Sequence, residues 1–289
     1  MRLRSLRRVL LGTRGESVLT AIILILGIAW IFLPSASTAA RPPVTRDIAP
    51  SSPPSAPASV PSASAAARPV AVVAFGDSVP SGGNCGCSPF PFTYSGFVAQ
   101  HTGTRVPTTN FATGGFTSAD VRRQIETPAA KAAIRKASTV VIMAGANDFP
   151  GAYGRVRHGM PADVAYRPVA ATVRANVEAT VRRIRALHPG PVDVAVLGYW
   201  NVFRDGKVGY STLGAAGMAS ANKATAHANQ ALLQAAASTG SRYVFVYGTF
   251  KGKDGKTDPT PLLAFDGDHP NARGHRAIAG RLYAALPNG

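Results

Sequence analysis

Residues 70–83 read VAVVAFGDSVPSGG. An apolar run over 70–75 stops abruptly at Gly76-Asp77-Ser78, and a loop punctuated by Gly and Pro follows. A continuous apolar run of that length fits a strand buried on both faces. Such a strand is a rigid post. The serine at its end is either an ordinary exit residue that caps the next helix or a nucleophile held at the rim of a sheet, and residues far along the chain decide between the two.

Four further segments have strand length and composition: 105–112 (RVPTTNFA, the weakest), 138–145 (STVVIMAG), 192–200 (VDVAVLGYW) and 242–250 (RYVFVYGTF). Helical patterns separate them. In 168–188, Val169, Val173, Val177, Val181 and Ile184 share one face with the arginines mainly opposite, and Pro189-Gly190 stops the helix. The Ala-rich stretch 215–238 reads as a second helix and 271–286 as a third that closes the domain. Strands alternating with helices predict an α/β fold: a three-layer α/β/α sandwich around a mostly parallel five-stranded sheet. Loops at the carboxyl ends of such strands form the ligand crevice. Here they begin at Gly76, Gly114-Gly115, Gly145 and Tyr199. There is no internal repeat.

The first 68 residues read differently. Residues 1–16 carry Arg2, Arg4, Arg7, Arg8 and Arg14 against Glu16 alone, and 17–33 (SVLTAIILILGIAWIFL) hold no charge. Small residues follow. This is the pattern of an export signal, and the apolar stretch is also just long enough for a membrane-spanning helix. A cleaved signal and a retained anchor both stay open. With arginine on its N-terminal side, an uncleaved helix keeps residues 1–16 inside and the rest outside. Residues 34–68, mostly Pro, Ala and Ser, read as a disordered spacer. That leaves 69–289 as one catalytic-sized domain, extracytoplasmic, secreted or anchored to the plasma membrane, and expected to be a monomer.

The formal net charge is +17, from 31 basic and 14 acidic residues in 289. Setting aside the basic N-terminus leaves the balance strongly positive, but the arginines are dispersed and no nucleic-acid-binding signature is present. Nucleic acid is not an expected partner. Attraction to an anionic cell surface fits an exported protein.

A hydroxyl nucleophile needs a base, a group that orients the base, and donors for the oxyanion. Ser78 leaves the first strand. In DGDHP, Asp266 stands three residues before His269, so one local turn brings carboxylate and imidazole together. Gly115 offers an unobstructed backbone N–H, and Asn147 ends MAGAND at the tip of a central strand. Each has a plainer reading: Ser78 or Asp266 as a helix cap, His269 as an exposed helix-entry residue, Gly115 and Asn147 as turn residues. The nucleophile-elbow pattern fails because Pro80 stands where its last glycine belongs. SANK (220–223) lies in an Ala-rich helix without partner motifs, and no phosphate-binding loop, dinucleotide fingerprint or zinc-protease motif occurs.

These stretches together resemble the SGNH, or GDSL, hydrolase family: FGDSV with Ser78, NFATGG with Gly115, GAND with Gly145 and Asn147, and DGDHPNARGH with Asp266 and His269, in the family's order over residues 75–275. The resemblance implies a flavodoxin-like fold and a serine hydrolase without cofactor or metal. It also implies roles. Ser78 attacks an ester carbonyl, His269 serves as base and then acid, and Asp266 holds the imidazole. The N–H groups of Ser78 and Gly115 and the Asn147 amide stabilise the oxyanion, while Asp148 supports its loop.

Function on this reading is hydrolysis of acyl or acetyl esters of a glycan or lipid. The alternatives are an acyltransferase that passes the group to a sugar hydroxyl and a non-catalytic carbohydrate-binding domain. Long segments at 149–168 and 199–214 are candidate pocket walls, and Tyr199, Trp200, Phe203 and Tyr210 are candidates to stack on sugar rings or flank an acyl chain, against the plainer reading that they pack the loops down. His101, His158, His188, His227 and His275 have no metal-ligand spacing and read as structural or solvated. The two cysteines, Cys85 and Cys87, are expected to form an intramolecular disulfide in an oxidising compartment, with free thiols or an intermolecular bridge as the alternatives. So small a ring stabilises globally by only ~1.5 kcal/mol. Its expected role is local, beside Ser78.

Overall fold

The structure is a computed structural model that describes residues 44–48 and 70–286, all within the unit Thr38–Gly289. The segments 1–16 and 17–33 lie outside the described residues, as does the spacer apart from 44–48. Among the described residues no helix is long and apolar enough to cross a membrane.

Six strands form one sheet in the order β1-β3-β2-β4-β5-β6. They are β1 (Val44–Ile48), β2 (Val72–Gly76), β3 (Val106–Asn110), β4 (Thr139–Met143), β5 (Asp193–Leu197) and β6 (Arg242–Val244). From β3 to β6 every pairing is parallel. This is the expected five-stranded parallel core. Each residue of β2 and of β4 is buried, which is why those segments read as unbroken apolar runs.

The sixth strand departs from the expectation of a wholly disordered spacer. β1 pairs antiparallel with β3, Val44 opposite Asn110 and Ile48 opposite Val106. Without it, β3 would be an edge with unpaired N–H and C=O groups. Composition averaged over 34–68 hides the short window VTRDI, whose Val, Thr and Ile favour strand.

The helices are α1 (Ser78–Ser81), α2 (Phe90–Thr102), α3 (Ser118–Gln124), α4 (Pro128–Ile134), α5 (Pro150–Arg157), α6 (Ala162–Leu187), α7 (Gly206–Thr239), α8 (Tyr247–Lys251) and α9 (Ala272–Ala285). α2 packs on α9, while α3 and α7 pack on α6. Val173, Val177, Val181 and Ile184 of α6 are buried. The facing stretch of α7 buries Ala221, Ala224, Ala228, Ala231 and Ala235, at alternating spacings of three and four, so two long helices approach closely over small side chains.

Three elements differ in extent from the sequence reading. α6 starts at Ala162, with Pro168 inside it; Pro lacks the N–H that would bond the carbonyl of Val164, and Val164 is exposed to water. The candidate wall 149–168 is therefore mostly helical. The wall 199–214 also ends in helix, because α7 begins at Gly206, and a break at Gly214 (φ 65°) separates its first turns from the Ala-rich part. β6 is short, and the residues after it turn into α8.

Candidate active site

Where β2 ends, the chain bends over β4. Gly76 has φ 152°, and a Cβ there would overlap the Met143 carbonyl oxygen, so only glycine fits. Asp77 N–H donates to that carbonyl at 3.1 Å, and the Asp77 side chain caps α1 by accepting from Val79 N–H at 3.0 Å. Ser78 is thus the first residue of a short helix, and among the described residues its N–H has no protein acceptor. Its carbonyl accepts from Gly83 N–H at 2.7 Å, which folds the following loop back over it.

Three further loops meet this bend. After β3, Thr113 N–H donates to Gly76 O at 3.0 Å, and a Cβ on Gly114 would stand 3.8 Å from Ser78 Cβ. Gly115 is left-handed (φ 81°), and its N–H too has no acceptor among the described residues. After β4, Asn147 Nδ2 donates to Phe116 O at 3.0 Å, using one of its two hydrogens. The neighbouring Asp148 accepts from Ser118 N–H and Oγ at 2.9 and 2.8 Å, which pins the 145–148 turn to the start of α3. Asp148 braces this loop.

The fourth loop precedes α9. Ala264 N–H donates to His269 O at 2.7 Å, closing a tight hairpin tip. Asp266 Oδ1 accepts from the N–H groups of Asp268 and His269 at 3.0 and 3.1 Å, and Oδ2 accepts from His269 Nδ1 at 2.6 Å. It is Asn271, not Asp266, that caps α9, accepting from Arg273 and Gly274 N–H. Burial pushes the Asp266 carboxyl up, but the hydrogen bonds from the His269 ring and backbone outweigh it and hold the group well below the usual carboxylate range. Burial pushes the His269 imidazole down. The Asp266 bond and the charges of Asp268, Asp266 and Asp77 overcome that and raise it above 6.5.

The His269 ring lies over Gly83. A Cβ there would come within 2.9 Å of Nε2 and 3.1 Å of Ser78 O, so the absent side chain lets imidazole and serine share one cleft. No hydrogen bond joins Ser78 Oγ to His269 in this structure. With Nδ1–H committed to Asp266, Nε2 is left as an acceptor. A hydroxyl, a base and free N–H donors on one rim suit acyl transfer.

The aromatic candidates are placed otherwise. Tyr199 and Trp200 are each 1% exposed. Tyr199 donates its hydroxyl to Asp77 Oδ2 at 2.5 Å, and Trp200 stacks on Phe250 with ring centroids 4.2 Å apart. Phe203 is half-buried against Tyr153 at 4.6 Å. The expectation that they line a pocket is corrected for Tyr199 and Trp200: the chain leaving β5 still runs under α7, so they pack inward. Tyr210 remains exposed.

Cys85 and Cys87 are joined in a disulfide with Cα atoms 5.0 Å apart. His275 is fully buried; its Nδ1 accepts from Phe90 N–H at 3.2 Å, and burial lowers it to about 4. An imidazole nitrogen of His275 lies within 4.8 Å of both sulfurs. Each sulfur is bonded to the other, so neither is a thiolate ligand.

Two residues escaped the sequence reading. Asp77 is fully buried between Tyr199 and α1. Asn84 Nδ2 donates to Asp266 Oδ2 at 2.5 Å and lies 3.4 Å from His269 Nδ1. The one local signal for Asn84 is its position between a Gly pair and a Cys pair, where a left-handed residue suits the loop.

The sequence profile of the GDSL-like lipase/acylhydrolase family matches residues 74–277. No curated protein matches the chain. Among solved structures, a lipase from a goat rumen metagenome superposes with a TM-score of 0.62 at 20% identity, covering 75% of this chain and 97% of its own. A variant of an acetyl-xylooligosaccharide esterase from Geobacillus stearothermophilus superposes with a TM-score of 0.53 at 17% identity, covering 75% and 94%. At these identities the likeness is one of fold.

Proposed function

Because the chain belongs to the GDSL-like lipase/acylhydrolase family and is a carboxylic ester hydrolase, we propose that it cleaves acyl or acetyl esters of a glycan or lipid outside the cytoplasm through Ser78, His269 and Asp266. The observation that carries this reading is the shared cleft over Gly83, where a Cβ would meet both the Asp266-bound imidazole and the Ser78 carbonyl oxygen.

His269 Nε2 takes the Ser78 proton as Oγ adds to the ester carbonyl, and the imidazolium is held by Asp266. The oxyanion is met by the N–H groups of Ser78 and Gly115, with the second hydrogen of Asn147 Nδ2. Collapse releases the alcohol, protonated by His269, and water repeats the sequence on the acyl-enzyme. An acetylated saccharide is one substrate within that range, the class that the Geobacillus protein's name gives for its own substrate. Export rests on the signal-like residues 1–33, and the strongly positive balance that remains beyond residue 16 suits an anionic cell surface.

Ser78→Ala tests the proposal. The variant is expected to keep its fold, read by circular dichroism, and to lose hydrolysis of a short p-nitrophenyl ester. Unchanged turnover would remove Ser78 from the mechanism.

A further inference from the structure

We infer that Asn84 is a positioning residue for the acid–base pair: its side-chain amide holds the Asp266 carboxylate in the orientation that engages His269. The inference rests on reading Asp266 and His269 as that pair.

The Asp266 carboxylate takes four hydrogen bonds. Three come from its own turn: the backbone N–H groups of Asp268 and His269 on Oδ1, and the His269 ring on Oδ2. The fourth comes from Asn84, 182 residues away, on Oδ2 at 2.5 Å. Asn84 is thus the donor that ties this turn to the loop carrying Ser78 and Gly83. Remove it, and Oδ2 is shared between the imidazole and whatever water reaches it.

The backbone is arranged for this contact. Asn84 has φ 52°, the one non-glycine among the described residues on the positive side. Asn accepts the left-handed region better than most residues, and such a conformation persists where its surroundings enforce it. Here Gly83 N–H bonds Ser78 O, Cys85 N–H bonds Gly82 O at 3.3 Å, and the Cys85–Cys87 bridge closes the next step of the chain. The disulfide follows Asn84 directly. Its place in this scheme is to keep the amide aimed at Asp266.

The electrostatic consequence is read at His269. A donor on Oδ2 stabilises the carboxylate's charge and weakens its pull on the His269 proton. The other charged or titratable groups facing His269 are Asp268 from the same turn, Asp77 from the end of β2 and His275 from α9, with Arg204 acting on Asp268. None of them is altered when the Asn84 amide is deleted. Without the amide, His269 titrates at higher pH where the Asp266 bond persists and at lower pH where that bond is lost.

The test uses the full chain with Asn84→Gly, which keeps the left-handed backbone and deletes the amide, and Asn84→Ala, which deletes the amide and adds no charge. The His269 imidazole is titrated by NMR, with its signal assigned from a His269→Gln variant, and ester turnover is measured in parallel. Both variants should shift the His269 midpoint and lower kcat by about ten- to a hundredfold with little change in KM, as expected for a misaligned catalytic group. A wild-type His269 titration in both variants would overturn the inference. If the wild-type chain cleaves no ester but the titration still moves, Asn84 positions the pair and it is the hydrolase reading that fails.

Discussion

The Tyr199 hydroxyl donates to the Asp77 carboxylate at 2.5 Å, so the residue that presents Ser78 is tied to the chain leaving β5. Burial pushes the Asp77 carboxyl up to about 6, with the Tyr199 and Val79 bonds opposing it. Because the folded value exceeds the ordinary 3.8, Asp77 favours the fold fully below 3.8 and that contribution is lost as pH rises through about 6. Above that, a buried charge depends on its donors.

Tyr199→Phe should therefore cost about 1.5–3 kcal/mol at neutral pH, the range for a hydrogen bond to a charged group. The loss should shrink at pH 5, where Asp77 is mostly protonated. Thermal denaturation at both pH values checks this, and an equal loss at the two would contradict the assignment.

Asn147→Ala should lower kcat by on the order of a hundredfold, with a smaller change in KM, as for removal of one oxyanion donor. Steady-state kinetics on a soluble ester reads it. Wild-type turnover would mean that Asn147 only braces Phe116.

Hydrolysis should rise with pH through a midpoint above 6.5, since the carboxylates around His269 raise it and only the neutral imidazole accepts a proton. Asp268→Asn removes one of those charges and should move the limb to lower pH. A rate flat from about pH 5 to 9 would exclude His269 as the base.

The protein isolated without reductant should take up no alkylating reagent at Cys85 or Cys87, by intact mass. Two added alkyl groups would refute the bridge and remove the support proposed for Asn84.

The buried strands were legible because β2, β4 and β5 lie in a covered parallel sheet, where nearly every residue must be apolar. The loops at their carboxyl ends were legible for the same reason: the apolar runs of β2 and β4 stop at Gly76 and Gly145, and the loop after β5 opens at Tyr199. β1 was not, because five strand-forming residues are diluted in a Pro/Ala/Ser-rich segment. Tyr199 and Trp200 misled because an aromatic just past a strand end packs inward or outward according to the helix above it, and the position of α7 is a tertiary fact. Asn84 was out of reach for a similar reason. Its partner lies on a turn that the last loop brings back to β2, and no local spacing encodes that meeting.

Ser78 as an activated nucleophile is the central claim, and covalent labelling tests it without knowledge of the natural substrate. The folded chain is treated with a fluorophosphonate and the adduct located by peptide mapping. The account predicts a single adduct on Ser78, lost in His269→Gln as the base is removed. An unlabelled Ser78, or an adduct formed equally well without His269, would contradict it.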